Sequence, residues 1–357
     1  MLEIIESPDD SVLQEDLDYL VDRVDFTALY HTSIVVTGAT GLIGSLLIKL
    51  MLCLNRKKNA AITIYAFIRE ENKAKNLFHK RYKNLNVIIG DIKSIPNISS
   101  PVDYIIHGAS ITASRTFIEK PVETIDTAYV GTRTMLNLAK EKQVKGFVYL
   151  SSMEVFGITD ARLKEVKESD YGYIDILNPR SSYSEGKRLC ECLCASYAKE
   201  YAVPVKIARL VQVIGAGADY NDTRVAAQFA RSVIENKDIV LKTEGKTKRP
   251  CVYTRDALKG ILTVLLRGNN GAAYSIANAN TTVTIRETAE MIAAKLTNNK
   301  IKVVLDINIP VEYAPNLNLN LNLNLNLIDG LGWKAEIGLE EAYRRMVESM
   351  LERKRKK

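Results

Sequence analysis

The stretch VVTGATGLIGSLL, residues 35–47, constrains this chain more than any other. A β-branched run passes through three glycines into an apolar run of helical periodicity, so a strand must turn at once into a helix. Gly38, Gly41 and Gly44 are spaced so that the chain turns tightly, packs helix against strand without a side chain, and lets backbone N–H groups approach an anion. Leu42, Ile43 and Gly44 then form the first helical turn, where a pyrophosphate would be held. A tight turn with no ligand is the competing reading, and the rest of the chain decides between them.

Short β-branched runs alternate with longer helical patterns. Strands are expected at Ser33–Thr37, Ile62–Ile68, Asn86–Ile89, Asp103–His107 and Gly146–Leu150, with helices near 42–55, 120–143 and 183–201 between several of them. That order predicts βαβ units and an α/β fold with a doubly wound parallel sheet, whose functional residues lie at the carboxyl ends of the strands. The 357 residues exceed the usual size of a single core. The expected division is a helical N-terminal extension over 1–30, a dinucleotide-binding domain over 31–210 with later segments returning to it, and a smaller mixed α/β substrate lobe over 211–357. In that lobe helices are expected near 223–236, 255–267, 284–297 and 338–353. Residues 316–327 are six Asn-Leu repeats, which fit either one half-buried strand or a surface insertion.

Composition excludes several classes. With 46% hydrophobic and 25% charged residues the chain reads as a soluble globular protein, and its longest apolar stretch, broken by Lys49, is too short to span a membrane. The acidic N-terminus lacks the early basic cluster of a secretory signal, so the cytoplasm is the default location. The net charge of +7 owes much to the run Arg353–Lys357, and no wide basic surface with stacking aromatics points to nucleic acid. Five cysteines, three at Cys190, Cys192 and Cys194, show neither a disulfide framework nor metal-site spacing, so no metal is expected.

Past the second strand, where an acidic residue would grip an adenosine ribose, the chain reads Ile68, Arg69, Glu70. Arg69 suits a 2′-phosphate, adenine stacking or water equally, which leaves NAD and NADP both open, and Glu70 is a further candidate for the ribose. Asp91 and Ile92 are placed to touch adenine. Gly108, Ala109 and Ser110 follow His107 past the fourth strand.

YSEGK places Tyr183 and Lys187 four residues apart on one helical face. A tyrosine of pKa ~10 serves as a base near neutrality only if depressed by about three units, roughly 4 kcal/mol. One cation at about 4–6 Å supplies an energy on the order of 3–4 kcal/mol at an effective dielectric of ~20, so Lys187 has the necessary leverage. Taken alone the pattern is also that of a surface Tyr-Lys pair.

The ordered set of the glycine cradle, GDI at 90–92, HGAS at 107–110, SSMEVFG at 151–157 and YSEGK resembles the extended short-chain dehydrogenase/reductase family that modifies nucleotide sugars. The resemblance runs from Ser33 to LGW at 331–333 and the final helix. It implies a Rossmann domain binding NAD(P) and a C-terminal lobe binding a nucleoside-diphosphate sugar. It makes Tyr183 the base at a sugar hydroxyl, usually at C4, Lys187 the holder of the nicotinamide ribose, and Ser152 the partner of the reacting hydroxyl. Ser151 would pack beside the nicotinamide. Gly108, Ala109 and Ser110 would line the cofactor, which makes His107 structural rather than catalytic. Ala128 stands where the family commonly has asparagine, so any role of that amide must be met otherwise. The family often forms homodimers through helices like those at 120–143 and 183–201.

Three fates are open to a C4 ketone: epimerisation, dehydration and decarboxylation. The family's 4,6-dehydratases read Thr-Asp-Glu where this chain has Ser152, Met153 and Glu154, and Met153 has no proton to give a departing hydroxyl. Simple 4-epimerases do not need Glu154. UDP-glucuronate decarboxylases resemble this chain best, through Ser152 and Glu154 flanking one variable residue, NPRSSYSEGKRLCE at 178–191 and DTRVAAQF with Arg224. In that reading Glu154 serves the stage at which the product is protonated. Arg224, Arg249 and Gln212 resemble substrate positions, Gln212 replacing the usual asparagine, and an arginine fork suits diphosphate or carboxylate. A non-catalytic dinucleotide sensor is the reading from a different class, opposed by the retention of Tyr183, Lys187 and Ser152. An NADP-dependent reductase is favoured by Arg69 and opposed by the sugar-type lobe.

Overall fold

The computed structural model describes residues 5–78, 82–96, 98–308 and 319–356. Its strands are β1 (Ser33–Thr37), β2 (Thr63–Ile68), β3 (Leu85–Ile89), β4 (Tyr104–His107), β5 (Gly146–Ser152), β6 (Val205–Leu210), β7 (Gln212–Ile214), β8 (Ile239–Leu241), β9 (Lys248–Tyr253), β10 (Ala273–Ile276), β11 (Asn278–Thr284) and β12 (Val303–Leu305). Seven of them form one sheet in the order β10-β6-β5-β4-β1-β2-β3, and every pairing in it is parallel. Helices cover both faces. For that reason the central strands are apolar runs rather than alternating ones: Ile34, Val35 and Val36 of β1 are all buried, as are Ile105 and Ile106 of β4.

From β1 the chain winds outward through β2 and β3, then returns to β4 on the other side of β1 and winds outward through β5 and β6. The reversal opens a crevice between the carboxyl ends of β1 and β4, the usual ligand position in such a sheet. Beyond it, β9 pairs antiparallel with β11 and parallel with β7, and β8 pairs parallel with β12. β10, although distant in sequence, lies at the edge of the large sheet beside β6.

The N-terminal segment is built into the core. Its helix Ser11–Arg23 buries Leu13, Leu17 and Leu20, and packs on the helices Leu42–Lys58, Thr254–Arg267 and Leu339–Arg355. Asp10 caps it, accepting from the Leu13 N–H at 2.9 Å and from the Ser349 hydroxyl at 2.5 Å. Buried Asp16 accepts from Tyr253 at 2.5 Å and from Arg345 at 2.9 Å; burial pushes its carboxyl up to about 6 despite these partners. Trp333, of the LGW motif, is buried and donates to the Asp256 carbonyl at 3.1 Å.

Over 319–324 the Asn-Leu repeat is an extended, half-buried segment; Asn326 and Leu327 open the short helix Asn326–Asp329, and 316–318 lie outside the described residues. Leu319, Leu321 and Leu323 point inward while Asn320 and Asn322 face out. The Leu321 N–H donates to the Lys248 carbonyl at 3.0 Å, and Asn322 and Asn324 exchange backbone bonds of 2.8 and 2.9 Å with Val166. The repeat thus ties β9 to the loop that precedes YSEGK.

One of the tight backbone approaches in the fold is at the first turn. A Cβ on Gly44 would lie 2.3 Å from the Gly38 carbonyl oxygen, whereas one on Gly41 would lie 3.2 Å from that atom. A glycine to alanine change inside a helix ordinarily stabilises by about 0.5–1 kcal/mol. Here Gly44→Ala is expected to reverse the sign and destabilise by about 1–3 kcal/mol through overpacking, read from urea unfolding, with Gly41→Ala milder.

Candidate active site

The carboxyl ends of β1, β2, β4, β5 and β6, with the start of β7, open onto one cleft of about 1950 Å³. Gly38, Gly41, Leu42, Ile43, Gly44, Arg69, Asp91, Ile92, Gly108, Ala109, Ser110, Ser152, Glu154, Tyr183, Lys187, Gln212, Arg224 and Arg249 all line it. Glu70 does not. It is exposed at the end of β2 and pairs with Lys73 at 2.9 Å, because the chain turns outward there into its next helix.

At the floor the backbone is stripped of side chains. Gly38 adopts φ +68°, a conformation that favours glycine, and a Cβ there would lie 2.8 Å from the Gly108 backbone. Gly41 begins the helix Leu42–Lys58 with no side-chain cap, so the first-turn N–H groups of Leu42, Ile43 and Gly44 face the cleft without an intrahelical partner. A cradle of this form fits a dinucleotide pyrophosphate. Ile92 closes one side, packed where Gly131 leaves 3.0 Å for a Cβ, and Arg69 and Asp91 lie exposed at the rim. Ala128 is buried where the two long helices meet, its carbonyl accepting from the Cys190 thiol at 3.2 Å.

His107, at the end of β4, is buried and held from both ring nitrogens, Nδ1 at 2.7 Å from Thr37 and Nε2 at 3.1 Å from Thr132. Burial, with the Lys187 charge second, pushes it down to about 3, so the ring is neutral. Ser151 lines the cleft, but its hydroxyl turns into the core and donates to Glu191 at 2.5 Å; Glu191 in turn is paired with buried Arg209 at 2.6 Å. Four cysteines are buried thiols and Cys192 is exposed.

Tyr183 and Lys187 share one face of the helix Ser182–Tyr201. The ammonium lies 5.8 Å from the Tyr183 ring centre and 4.7 Å from that of Tyr149, and donates to the Leu150 carbonyl at 2.8 Å. The tyrosine depression expected from Lys187 is not present. Burial, and then the negative charge of Glu154, push the Tyr183 phenol up to about 12, against a hydrogen bond with Ser152 and the charges of Arg180 and Arg224. Lys187 is itself pushed down to about 8 by burial, which weakens the leverage assigned to it. Both groups pay for leaving water before either helps the other.

Glu154, on the short turn after β5, is neither solvated nor loose. Arg180 Nη1 and Nη2 donate to its Oε2 and Oε1 at 2.9 and 2.8 Å, and the Ser184 hydroxyl donates to Oε2 at 2.7 Å. Arg180 is 5% and Glu154 16% exposed at their side chains, so the two-pronged pair is largely shielded from water on the arginine side and open to the cleft at the glutamate. The guanidinium sits 5.0 Å from the ring of buried Phe117, which stacks on Tyr183 at 4.5 Å and 9°. Neither Arg180, Ser184 nor Phe117 stood out in the sequence as a site residue. Arg180 and Ser184 flank Tyr183 within NPRSSYSEGK, but no local rule connects them with a glutamate 26 residues upstream of Arg180.

Of the three substrate candidates, Gln212 and Arg249 are half-buried in the cleft wall. Arg224 is exposed, with its Nε held by both oxygens of Asp222 at 3.0 and 2.9 Å, so its fork is turned toward its own loop. Among the described residues no group of three or more His, Cys, Asp and Glu is arranged to hold a metal, and no helix is long and apolar enough to cross a membrane.

A family model described as "NAD dependent epimerase/dehydratase family" matches residues 34–279. UDP-glucuronic acid decarboxylase 1 of Arabidopsis thaliana is 29% identical over 320 residues, which cover 88% of this chain and 68% of that protein. UDP-glucuronic acid decarboxylase 1 of Danio rerio is 27% identical over 260 residues, covering 72% of this chain and 59% of its own length. The chain therefore spans less than two thirds of the zebrafish protein. Among solved structures, a UDP-N-acetylglucosamine 4-epimerase from Methanobrevibacter ruminantium superposes with a TM-score of 0.75 at 18% identity, over 92% of this chain and 99% of that one, a likeness of fold.

The neutral His107 carries a pH dependence of known sign. Between the unfolded value of about 6.5 and the folded value of about 3, only the unfolded chain takes up a proton there, so acidification through that window removes stability. Urea unfolding is expected to show a loss of up to roughly 4 kcal/mol from this group, and a shallower acid dependence in His107→Gln.

Proposed function

The chain belongs to the NAD dependent epimerase/dehydratase family, and we propose that within it the protein decarboxylates a nucleoside-diphosphate hexuronic acid, with UDP-glucuronate as the substrate. It is an NAD-dependent nucleotide-sugar enzyme. The reading of its particular reaction rests on one observation: Glu154 stands beside Tyr183 in the cleft, while the residue between Ser152 and Glu154 is Met153. A dehydratase needs an acid where Met153 offers a thioether. An epimerase has no use for the carboxylate.

Gly38, Gly41, Leu42, Ile43 and Gly44 would hold the pyrophosphate of NAD, with Ile92 and Arg69 toward adenine and Gly108, Ala109 and Ser110 along the groove. When bound, NAD supplies the hydride acceptor for C4 of the sugar and the hydride donor for the return step. Tyr183 takes the proton of the C4 hydroxyl, and the Ser152 hydroxyl, already bonded to Tyr183, orients the reacting oxygen. The Tyr183 phenol must fall from its present high value to do this, and a cation brought close to the ring acts in the same direction as Arg180 and Arg224.

Once C4 is a ketone the substrate is a β-keto acid. The bond from C5 to the carboxylate breaks, its electron pair passes into the enolate, carbon dioxide leaves, and C5 takes up a proton. Glu154 is assigned to this stage. Arg249 and Gln212 are assigned to the nucleotide and sugar, and Arg224 to the same task if Asp222 releases it. The division into an extension, a dinucleotide-binding domain and a substrate lobe is part of the same reading. Exposed Val122, Ile125 and Leu189 on the helices Pro121–Lys142 and Ser182–Tyr201 support a homodimer through that face. The cytoplasm and the supply of polysaccharide precursors are the setting we assign.

Incubation with UDP-glucuronate, UDP-glucose and dTDP-glucose, followed by product masses, separates the three reactions. We expect loss of carbon dioxide from the first and no change in the others; loss of water from dTDP-glucose would mark a dehydratase. Tyr183→Phe is expected to lower turnover by at least about a hundredfold with NAD still bound. Glu154→Gln should retain hydride transfer and lose the steps that follow it. An unimpaired Glu154→Gln enzyme would point to epimerisation instead.

A further inference from the structure

Glu154 and Tyr183 lie on different elements, the turn after β5 and the start of the helix Ser182–Tyr201. What joins them is Arg180, from the 3₁₀ turn Pro179–Ser181 just ahead of that helix. One side of its guanidinium grips both oxygens of Glu154. Phe117 lies within cation–π reach of it and is stacked almost parallel on Tyr183. Four side chains are thus held in series: carboxylate, guanidinium, phenyl ring, phenol. The start of the series is rigid as well, since Asn178 caps the turn by accepting from the Arg180 N–H at 3.0 Å. Lost contact at any link releases the next.

The hydrogen bonds also decide which part of Glu154 a substrate can meet. Oε2 already accepts two, from Arg180 and Ser184, whereas Oε1 accepts one, from Arg180. A carboxylate oxygen takes about two such bonds, so the open acceptor position is on Oε1. We propose that Arg180 is a positioning residue for the reaction: its fork aims Glu154 so that Oε1 meets the sugar, and through Phe117 it fixes the plane of the Tyr183 ring. The inference rests on the decarboxylase reading for its chemistry, though the arrangement itself is independent of substrate. Bare charge does not suffice in this role. A lysine at 180 would return the positive charge without the planar pair of donors.

The groups facing Tyr183 are Tyr149, Ser152 and Glu154 from β5 and the turn after it, Arg180 from the turn before the helix, Arg224 from the loop before Val225–Glu235, and Lys187 from its own helix. Of these Glu154 raises the phenol and Arg180 lowers it. The test therefore has an arm that needs no substrate. In NAD-loaded protein, the tyrosinate difference spectrum of each variant is taken against its own Tyr183→Phe partner. Arg180→Met is expected to move the Tyr183 midpoint up by about one unit, Arg180→Lys by much less, and Glu154→Gln down. An unmoved midpoint in Arg180→Met overturns the proposal.

The second arm is turnover of UDP-glucuronate. Arg180→Met and Glu154→Gln should each lower it, and the double variant should be no slower than the slower single, because one acts through the other. Losses that multiply would show two independent roles and overturn the proposal. Should Arg180→Met fail to fold, Arg180→Lys carries the test: turnover is expected to fall at least about tenfold with NAD affinity kept, and a full-rate Arg180→Lys refutes the need for the fork. If the wild type gives no decarboxylated product yet the midpoints shift as stated, the assigned reaction fails while the positioning role stands.

Discussion

Everything at the cleft depends on how closely the backbone of Gly38 approaches its neighbours. At the carboxyl end of β1 the chain must turn into a helix, pass beside the start of the loop after β4, and leave a surface on which only N–H groups are presented. Gly38 lies against Gly108, and Gly44 against Gly38, at separations that no side chain would survive. The contact lies where β1 and β4, paired in the sheet up to Thr37 and His107, both turn at the point where the winding reverses, and it lets the two turns pass side by side at the floor of the groove.

On the opposite wall the constraint is electrostatic. Lys187 and Tyr183 are withdrawn from water and burial disfavours the charged form of both, while Arg180 and Glu154 meet as an ion pair beside them. The protein answers with paired contacts rather than isolated ones. Arg180 meets Glu154, Arg209 meets Glu191, and Lys187 meets the Leu150 carbonyl and the Tyr149 ring. The Tyr183 phenol is pushed up to about 12 by burial and by the charge of Glu154, and a positive charge near its ring acts the other way.

Five of the seven strands of the large sheet, β1 to β5, were legible because their signals are local, whereas β6 and β10 were not placed. β1 was placed to the residue, and β2 to β5 nearly so, since each is a short β-branched run bounded by turn residues. The helix at Tyr183 was equally plain from its periodicity. Residues brought together from one motif, such as Tyr183 and Lys187, were found on the same grounds. Arg180 was quoted within a motif and still passed over, because its meaning lies in a partner on another element, and Phe117 carried no signal at all. The N-terminal segment was expected as a helical extension, and nothing in its sequence showed that Asp10 and Asp16 would be buried against the C-terminal helix, where their partners Ser349 and Arg345 lie more than three hundred residues away. Arg224 matched a motif, but the motif could not show that Asp222, two residues earlier, would occupy its fork.

The Asn-Leu segment has a property that follows from its monotony. In an extended chain a slip of one residue exchanges the two faces, whereas a slip of two restores them. Here a slip of two also restores the same residue types. Gain or loss of a whole dipeptide would therefore present identical leucines to the interior and identical asparagines to the Val166 loop. Such a segment is tolerant of length polymorphism, and its pairing is specified in phase but degenerate in position.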